Sequence, residues 1–281
     1  MDIDFTDAQI DRYARHLVLP EIGEAGQAKL LGSRVLVVGA GGLGSPLLLY
    51  LAAAGVGTLG VVDDDVVDLS NLQRQVLHDS AKIGVDKVES AKARLAEINP
   101  EVRVVPHRLR VTRATVEDLI ADYDLVADGS DNFSTRYLIN DACYLAGKTL
   151  VSAAIMRFDG QLSTYKAHLR RTGEGDGEAH PCYRCIFGSQ PPEMKESCAD
   201  VGVLGALAGT LGSLQANEVI KELLGIGESM SGRLLLYDAL ATAFHNVTVK
   251  ADPVCALCGP QATIRDLDSV DYDENGAVCA A

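Results

Sequence analysis

The feature that most constrains the fold is a glycine cluster that directly follows a short apolar segment. Residues Arg34–Val38 are mostly β-branched and apolar, and Gly39–Gly44 follows them with the spacing G-x-G-x-x-G. A second apolar segment, Leu59–Val62, ends on Asp63, 19 residues after Gly44. In nucleotide-binding folds such glycines let backbone amides approach phosphate oxygens at a helix N-terminus, and the acidic residue holds ribose hydroxyls. The spacing therefore predicts a nucleotide-binding βαβ unit, with a tight turn that binds no ligand as the alternative.

Apolar segments along the rest of the chain alternate between strand-like runs and helical periodicity. The strand-like runs lie at 102–105, 125–127 and 150–154, and the helical ones at 87–98, 116–120 and 133–145. Such alternation builds a mostly parallel sheet with helices on both faces. Two later strand patterns, 233–237 and 244–250, and a long apolar helix near 203–224 indicate that mixed strands extend the same sheet. We therefore expect an α/β fold with a doubly wound, Rossmann-like, mostly parallel sheet.

The charge balance of the chain argues against nucleic acid as a partner. Lysine and arginine total 25 against 39 aspartate and glutamate residues, a formal net charge of -14, which opposes the counterion release that drives nucleic-acid binding. The acidic N-terminal segment lacks the apolar core of an export signal. The longest uncharged stretch, 201–217, is shorter than the roughly 20 apolar residues of a membrane span. We expect a cytoplasmic protein that binds neither nucleic acid nor a membrane.

Two cations are expected near the nucleotide. Arg74 lies in the polar segment Ser70–Gln75, with the sequence S-N-L-Q-R-Q, and Lys87 begins the helix that follows. An enzyme that attacks the α-phosphate of ATP has to neutralise the departing pyrophosphate, and each well-placed donor lowers the barrier by about 3 kcal/mol. Hydride transfer makes no such demand. Solvated cations on the surface are the alternative interpretation.

A carboxylate at the end of the fourth predicted strand is a third candidate. The segment Asp128–Asn132, with the sequence D-G-S-D-N, follows the strand run at 125–127 and precedes a helical pattern. Ligands of open α/β sheets bind in the crevice outside the carboxyl ends of the strands, where Asp131 can hold the Mg²⁺ that accompanies ATP. The alternative is that Asp131 only caps the following helix.

Four of the seven cysteines fall into two C-x-x-C pairs, Cys182 with Cys185 and Cys255 with Cys258. This spacing directs two thiolates of each pair to one tetrahedral ion, so the pairs predict a structural Zn²⁺ site without an exchangeable ligand. A redox C-x-x-C is the rival interpretation, although neither pair begins a helix of a thioredoxin-like unit. Cys198, in a polar segment, suits a covalent acceptor of sulfur or of an acyl group, with inert packing as the alternative.

Taken in their order along the chain, these motifs resemble the HesA/MoeB/ThiF family of ubiquitin-activating-type proteins, and within it the molybdopterin-synthase adenylyltransferases (MoeB). The resemblance runs from Arg12–Arg15 to Cys258 and includes Pro181–Cys185 and Gly212–Ala216 besides the strings given above. It implies ATP-dependent adenylation of the C-terminal glycine of a ubiquitin-like sulfur-carrier protein of MoaD/ThiS type, for molybdopterin or thiamine biosynthesis. It also implies a homodimer.

The resemblance assigns roles to individual residues. Asp63 is expected to bind the ribose, and Asp131 the Mg²⁺. Arg74 and Lys87 are expected to bind the phosphates of ATP, and Arg15 to reach the nucleotide of the partner protomer. The candidate catalytic residues are then Arg15, Arg74, Lys87, Asp131 and Cys198. The candidate nucleotide-binding residues are Gly39, Gly41, Gly42, Gly44, Asp63, Asp65, Ser70, Asn71, Gln73, Arg74, Lys87, Asp131 and Asn132.

The expected organisation has three parts: an N-terminal helical arm at 1–30, a single adenylation domain at 31–260 and a flexible tail at 261–281. Within the domain, 31–155 is the nucleotide half and 156–260 the zinc and carrier-binding half. A Gly-rich loop at 170–180 is expected to be mobile. Only about 20 residues follow Cys258, fewer than the sulfurtransferase domain that some relatives append, so a separate protein is expected to donate the sulfur.

Two other classes of function stay open at this point. An NAD(P)-dependent Rossmann oxidoreductase shares the glycine motif but leaves Arg74, Lys87 and the four paired cysteines without a role. A non-catalytic, nucleotide-responsive binding protein on the same scaffold predicts nucleotide-dependent partner binding without formation of an adenylate.

Overall fold

A computed structural model describes residues 4–172, 179–189 and 202–272. The strands in these ranges form one sheet of eight in the order β3-β2-β1-β4-β5-β6-β7-β8. They are β1 (Arg34–Val38), β2 (Thr58–Val62), β3 (Arg103–His107), β4 (Leu125–Asp128), β5 (Thr149–Met156), β6 (Asp159–Tyr165), β7 (Arg233–Asp238) and β8 (Ala243–Thr248). The first five are parallel, and each pair from β5 to β8 is antiparallel. The expected parallel sheet with a mixed extension is confirmed.

The described helices cover both faces of this sheet. They are α1 (Asp7–Leu17), α2 (Gly23–Gly32), α3 (Gly44–Ala53), α4 (Lys87–Ile98), α5 (Val116–Ala121), α6 (Phe133–Ala146), α7 (His168–Thr172), α8 (Tyr183–Phe187) and α9 (Gly205–Leu224). Buried side chains of α2, α3, α4 and α9 join one apolar core, and those of α5 and α6 join a second.

Strand β1 shows why two cores form. Val35 and Val37 belong to the first core, and Leu36 and Val38 to the second, because successive side chains of a strand point to opposite faces. A strand that is buried on both faces reads as a continuous apolar run. This is the pattern from which the sequence predicts β1, and it places the glycine loop at the carboxyl end of a central strand.

Residues 261–272 correct the expectation of a flexible tail that begins at residue 261. Ala262, Ile264, Leu267 and Tyr272 are buried, and the Tyr272 hydroxyl donates a hydrogen bond to Asp141 Oδ2 at 2.7 Å. Burial of these apolar side chains offsets the conformational entropy lost on ordering the segment. Residues 273–281 lie outside the described residues.

Other predictions fall partly or wholly outside the described residues. The predicted mobile loop at 170–180 is described only at its two ends, and Cys198 is not described. The long uncharged stretch overlaps α9, whose residues Leu207, Leu211 and Val219 are fully or almost fully buried. Within the described ranges, no helix combines the length and the apolar character that crossing a membrane requires.

Candidate functional site

The glycine loop connects β1 to α3 where β1 and β4 lie side by side. Gly39 has a φ of 91°, a conformation that favours glycine. A Cβ on Gly44 would lie 1.9 Å from the carbonyl oxygen of Gly39, and a Cβ on Gly39 would lie 3.1 Å from the carbonyl oxygen of Gly129. The turn therefore needs glycine at its start and end. It lies where the strand order reverses, which is where open α/β sheets bind ligands.

Asp63, at the end of β2, holds the same loop. Its Oδ2 accepts a hydrogen bond from the backbone N–H of Ala40 at 2.8 Å, and its Oδ1 accepts one from the backbone N–H of Asp65 at 3.0 Å. Burial raises the pKa of Asp63, and the charge of Lys87 acts in the opposite direction. Each carboxylate oxygen can accept a second hydrogen bond, so Asp63 is able to bind a ribose hydroxyl while it fixes the loop.

Lys87 is buried, with 1% of its side chain exposed. Its Nζ lies 2.9 Å from Asp65 Oδ2 and 4.0 Å from Asp63 Oδ1. Buried charges in proteins are paired, because an isolated ion loses its hydration. Lys87 is therefore held beside the end of β2 and is not a solvated surface cation.

Arg74 also lies against the glycine loop. Its Nη2 donates to Asn71 Oδ1 at 3.0 Å, and its Nη1 donates to the carbonyl oxygen of Ser70 at 3.3 Å. A Cβ on Gly42 would lie 3.6 Å from Cγ of Arg74. The stem of the arginine therefore runs along the glycine loop, and its own chain segment orients the guanidinium.

The residues around Arg74 differ in exposure. Asn71 and Gln75 are each 1% exposed, whereas Ser70 and Gln73 are exposed. A Cβ on Gly205 would lie 2.3 Å from the carbonyl oxygen of Gln73. The segment Ser70–Gln75 thus packs between the glycine loop and the N-terminus of α9. Gln75 has no predicted role but joins the site, since a Cβ on Gly41 would lie 3.5 Å from its Nε2.

Asp131 lies in the turn between β4 and α6, and it is not the cap of that helix. Asn132 is the N-cap, since its Oδ1 accepts a hydrogen bond from the backbone N–H of Thr135 at 2.9 Å. The Asp131 side chain is open to solvent, yet the protein around it raises its pKa by desolvation, against the attraction of Arg136. A carboxyl group with a perturbed pKa in a crevice is typical of a functional site.

Two residues to which the sequence motifs assign no role hold this turn. Arg136 donates through Nη1 to the carbonyl oxygen of Ala153 at 3.0 Å, and through Nη2 to that of Ser130. Gln215, on α9, donates through Nε2 to the carbonyl oxygen of Asp128 at 2.8 Å. Both side chains are buried. They lie in helical segments whose local pattern carries no signal for contacts to a distant backbone.

The structure does not bring all candidate residues to this site. Cys198 lies outside the described residues. Arg15 is exposed on α1, and α1 packs at the C-terminal end of α4, where Tyr13 accepts a hydrogen bond from Asn99 at 2.8 Å. Lys87 is at the other end of that 12-residue helix, which is about 18 Å long at 1.5 Å per residue. Arg15 is therefore remote from this crevice.

The four paired cysteines come together at one point. The Sγ atoms are 3.8 Å apart for Cys182 and Cys185, 3.6 Å for Cys182 and Cys255 and 3.3 Å for Cys185 and Cys258. All four lie within 4.8 Å of one another and are free thiols. Zinc–sulfur bonds of about 2.3 Å in a tetrahedron place sulfur atoms about 3.8 Å apart. The cluster therefore fits a tetrahedral zinc ion whose ligand positions are all filled by protein.

A buried ion pair anchors the cysteine cluster to α6. Arg184 donates through Nε and Nη2 to the two carboxylate oxygens of Asp141, at 2.8 and 2.6 Å. Asn140 donates to Asp141 at 2.9 Å and accepts from the backbone N–H of Tyr183 at 2.8 Å. The Tyr272 hydroxyl is a further donor to Asp141. Since α6 also begins next to Asp131, one helix joins the nucleotide crevice to the cysteine cluster.

Comparison with known proteins adds relatives of high similarity. The ThiF family profile matches residues 13–257. The chain is 47% identical to the SAMP-activating enzyme E1 of Haloferax volcanii, over 99% of each chain. It is 48% identical to the sulfur carrier protein adenylyltransferase of Thermus thermophilus, over 96% of this chain and 97% of that one. Against the bovine adenylyltransferase and sulfurtransferase MOCS3, it is 54% identical over 94% of its length and spans 56% of that protein.

Solved structures show the same fold in more distant proteins. E. coli MccB, crystallised with ATP, superposes with a TM-score of 0.73 at 22% sequence identity, over 89% of this chain and 74% of that chain. Its complex with MccA-N7isoASN gives a TM-score of 0.75. Together with the profile match and the full-length relatives, the glycine loop, crevice cations and cysteine cluster lead to one assignment. The chain belongs to the ThiF family.

Proposed function

We propose that this protein uses ATP to adenylate the C-terminal glycine of a ubiquitin-like sulfur-carrier protein of MoaD/ThiS type. The observation that carries the proposal is the convergence of Arg74, Lys87 and Asp131 around the glycine loop. A phosphate loop alone suits many nucleotide-binding proteins, whereas two cations and a carboxylate beside it suit cleavage at the α-phosphate. The two relatives covered over their full length, a sulfur carrier protein adenylyltransferase and a SAMP-activating enzyme, support the same reaction.

In this reaction the terminal carboxylate of the carrier attacks the α-phosphorus of ATP. A bond forms between the carboxylate oxygen and phosphorus, and the bond from phosphorus to the pyrophosphate oxygen breaks. Backbone amides of the glycine loop, at the N-terminus of α3, bind phosphate oxygens. Arg74 and Lys87 offset the charge that develops on the departing pyrophosphate, and Asp63 accepts a hydrogen bond from the ribose. Mg²⁺ supplies further charge neutralisation when bound, and Asp131 is the residue proposed to hold it.

The other nucleotide-binding assignments rest on contacts to these groups. Asp65 orients Lys87 through its 2.9 Å contact, and Asn71 orients Arg74 through its 3.0 Å hydrogen bond. Asn132 fixes the start of α6 beside Asp131. The loop glycines Gly39, Gly41, Gly42 and Gly44, with Ser70 and Gln73, complete the proposed pocket.

A separate protein is proposed as the sulfur donor. Within the described ranges, which include neither Cys198 nor Cys279, each cysteine is either in the cysteine cluster or, as Cys143, 1% exposed in α6. A thiol that passes sulfur to a carrier has to be accessible, and none of these is a free accessible thiol once the cluster binds zinc.

Four free thiols held together as metal ligands also favour a reducing compartment, the cytoplasm.

The test is ATP–pyrophosphate exchange in the presence of candidate carriers that end in Gly-Gly. Exchange is expected only with a carrier that keeps its last glycine, and mass spectrometry of the carrier should show an added AMP group. The same carrier without its last glycine is the matched control. Binding of NADH without binding of ATP would support an oxidoreductase instead, and nucleotide-dependent carrier binding without adenylate would support a binding protein.

The protein is further proposed to act as a homodimer in which Arg15 serves the nucleotide site of the partner subunit. Arg15 is remote from its own crevice, as the position of α1 shows. A groove of about 730 Å³ lies between α3 and α9, and Tyr50, Gly209 and Ser213 are among its lining residues. Tyr50 is 57% exposed. Exposed apolar groups gathered in one groove are typical of an interaction surface, and the small residues of α9 allow another helix to approach closely.

Complementation between inactive variants tests this arrangement. Arg15→Ala and Arg74→Ala proteins are each expected to lose most exchange activity, because each variant removes one cation from every site. After subunit exchange, the mixture is expected to recover about a quarter of the wild-type rate, since half of randomly mixed dimers carry one complete site of two. Exchange activity before and after mixing is the measurement.

A glycine substitution provides the control for complementation. A Cβ on Gly209 meets nothing within 4 Å, so Gly209→Arg leaves the protomer intact while it fills the groove. Recovery should fail when both variants also carry Gly209→Arg, and light scattering should show monomers. Gly32→Arg, at another open glycine, should leave recovery unchanged. Full activity of the Arg15→Ala protein, or recovery in the presence of Gly209→Arg, would contradict the proposal.

A further inference from the structure

His78 is a buried histidine that joins the glycine loop to α4. It is 7% exposed and lies in the segment between Arg74 and Lys87. Its Nε2 is 2.9 Å from the carbonyl oxygen of Ala40, and its Nδ1 is 2.9 Å from Oγ of Ser90. Both ring nitrogens therefore have partners, one in the phosphate loop and one in the helix that begins with Lys87.

The partners of His78 fix its proton. A carbonyl oxygen can only accept, so Nε2 carries the hydrogen and donates to Ala40. In the neutral ring Nδ1 then accepts from the Ser90 hydroxyl. Burial lowers the pKa of His78 and the charge of Lys87 lowers it further, whereas the hydrogen bond to Ala40 and the charge of Asp79 act in the opposite direction. The ring is therefore neutral at physiological pH, in a single tautomer.

Anchoring the Ala40 carbonyl decides where the next amide points. In a planar trans peptide the C=O and the N–H point in opposite directions. With the Ala40 carbonyl directed at His78, the N–H of Gly41 is directed away from His78. The preceding peptide is fixed as well, because the Ala40 N–H donates to Asp63 at 2.8 Å. Among the described residues, no backbone hydrogen bond uses the Gly41 N–H, so it is free to bind a phosphate oxygen.

Because residue 41 is glycine, the hydrogen bond from His78 is needed to hold the Ala40 carbonyl in place. Glycine populates conformations on both sides of φ zero, so the peptide between Ala40 and Gly41 can rotate at small cost. Rotation of this peptide plane would point the Gly41 N–H toward His78 and the Ala40 carbonyl toward the phosphates. An oxygen that carries partial negative charge would then repel the ligand that the amide attracts. A hydrogen bond from a neutral imidazole prevents this rotation without adding charge.

We propose that His78 is a positioning residue for nucleotide binding: it directs the Gly41 N–H toward the phosphates of ATP and ties that amide to the helix that carries Lys87. The inference rests on the proposed function for the identity of the ligand. His78 does not contact the reacting atoms. Its effect on nucleotide binding passes through the backbone of the glycine loop.

Two polar variants separate this role from simple core packing. His78→Gln places an amide N–H near the position of Nε2 and can still reach the Ala40 carbonyl. His78→Asn places its polar group near the position of Nδ1, where it reaches Ser90 but not Ala40. Both variants keep a buried amide of similar polarity, so they differ mainly in the hydrogen bond to the glycine loop. Their melting temperatures are measured beside the wild type.

The expected result is a change in KM with little change in kcat. In carrier-dependent ATP–pyrophosphate exchange, His78→Asn should raise the KM for ATP by about 10- to 100-fold, the effect of losing one hydrogen bond to a charged group. The bond is present in both the bound ground state and the transition state, so kcat should stay within about threefold. His78→Gln should keep the wild-type KM. Equal KM values for both variants, or loss of kcat at unchanged KM, would overturn the proposal.

A binding measurement keeps the inference testable apart from activity. The chain contains five Ala-Gly steps, so protein labelled with ¹³C-carbonyl alanine and ¹⁵N-glycine gives five selected amide signals. The Gly41 signal is identified because Ala40→Ser removes it. A non-hydrolysable ATP analogue should shift that signal in the wild type and in His78→Gln but not in His78→Asn at the same concentration. Shifts in all three proteins would overturn the role of His78, whereas absence of exchange in the wild type would overturn only the proposed function.

Discussion

Replacing Asp131 by asparagine is expected to reduce carrier-dependent ATP–pyrophosphate exchange by about 10²- to 10³-fold, the usual effect of removing one preorganised electrostatic group. Asparagine keeps the size of the side chain and loses its negative charge. If Asp131 holds the Mg²⁺ of MgATP, the neutral amide is a much weaker ligand for a hard cation, which prefers carboxylate oxygen. The measurement is the exchange rate over a range of Mg²⁺ concentrations, and excess Mg²⁺ should restore part of the lost activity.

The same substitution is not expected to unfold the protein. Desolvation raises the pKa of Asp131 in the folded state, so the folded protein binds this proton more tightly than the unfolded chain does. Ionisation of the carboxyl therefore opposes folding once the pH rises through its ordinary pKa, and the full effect is present above the raised pKa. Asp131→Asn should have a melting temperature at neutral pH equal to or above that of the wild type. The difference should shrink as the pH falls below that range.

A matched control is Asp118→Asn, which removes an exposed carboxylate from α5, outside the turn that carries Asp131. Its exchange rate and melting temperature should equal those of the wild type. An Asp131→Asn protein with full exchange activity at all Mg²⁺ concentrations would remove Asp131 from the proposed site. A large loss of melting temperature at neutral pH would show that the carboxylate stabilises the fold, which contradicts the direction of its pKa shift.

The parts of the fold that could be predicted from the sequence are those in which local pattern and burial agree. Strand β1 is buried on both faces and is apolar throughout Val35–Val38. Strand β6 lacks this pattern, because Ser163 and Thr164 are polar yet buried. Their hydroxyls donate to the Arg233 carbonyl at 2.8 Å and to Glu218 at 2.9 Å. These hydrogen-bond partners are distant in sequence, so the local sequence pattern does not reveal them. The strand therefore lacks a continuous apolar run.

The candidate site divides in the same way. The glycine loop, Arg74 and Asp131 lie in short sequence motifs. The chemistry of nucleotide binding explains the residue types in these motifs directly, and the structure places the motifs around one crevice. His78 and Arg136 act on backbone carbonyls of other segments, namely those of Ala40 and Ser130. Any histidine in a loop or arginine in a helix has the same local sequence signal as these two. Only the folded chain shows which carbonyl each one holds.

Replacing Cys182 by serine is expected to release zinc and to lower the melting temperature by about 10 °C or more. Metal binding at a structural site is folding free energy, and about 1 kcal/mol changes the melting temperature of a domain of 150–250 residues by roughly 2–4 °C. Cys182 is the N-cap of α8, the helix that carries Arg184, and its Sγ lies 3.6 Å from that of Cys255 on a distant segment. Loss of the ion therefore frees both segments from each other. Metal analysis of the purified protein and its thermal unfolding curve are the measurements.

Cys143→Ala separates loss of the ion from loss of a buried thiol. Cys143 is 1% exposed in α6 and lies outside the cysteine cluster, so its variant should keep a full zinc content. It should melt only a few degrees lower, since it leaves a small cavity worth about 1 kcal/mol. In Cys182→Ser, the Arg184 and Asp141 ion pair still ties the released segment to α6, so the nucleotide half should keep its fold and its affinity for ATP. Unchanged zinc content and melting in Cys182→Ser would contradict the site, and lost ATP affinity would mean that zinc also supports the crevice through α6.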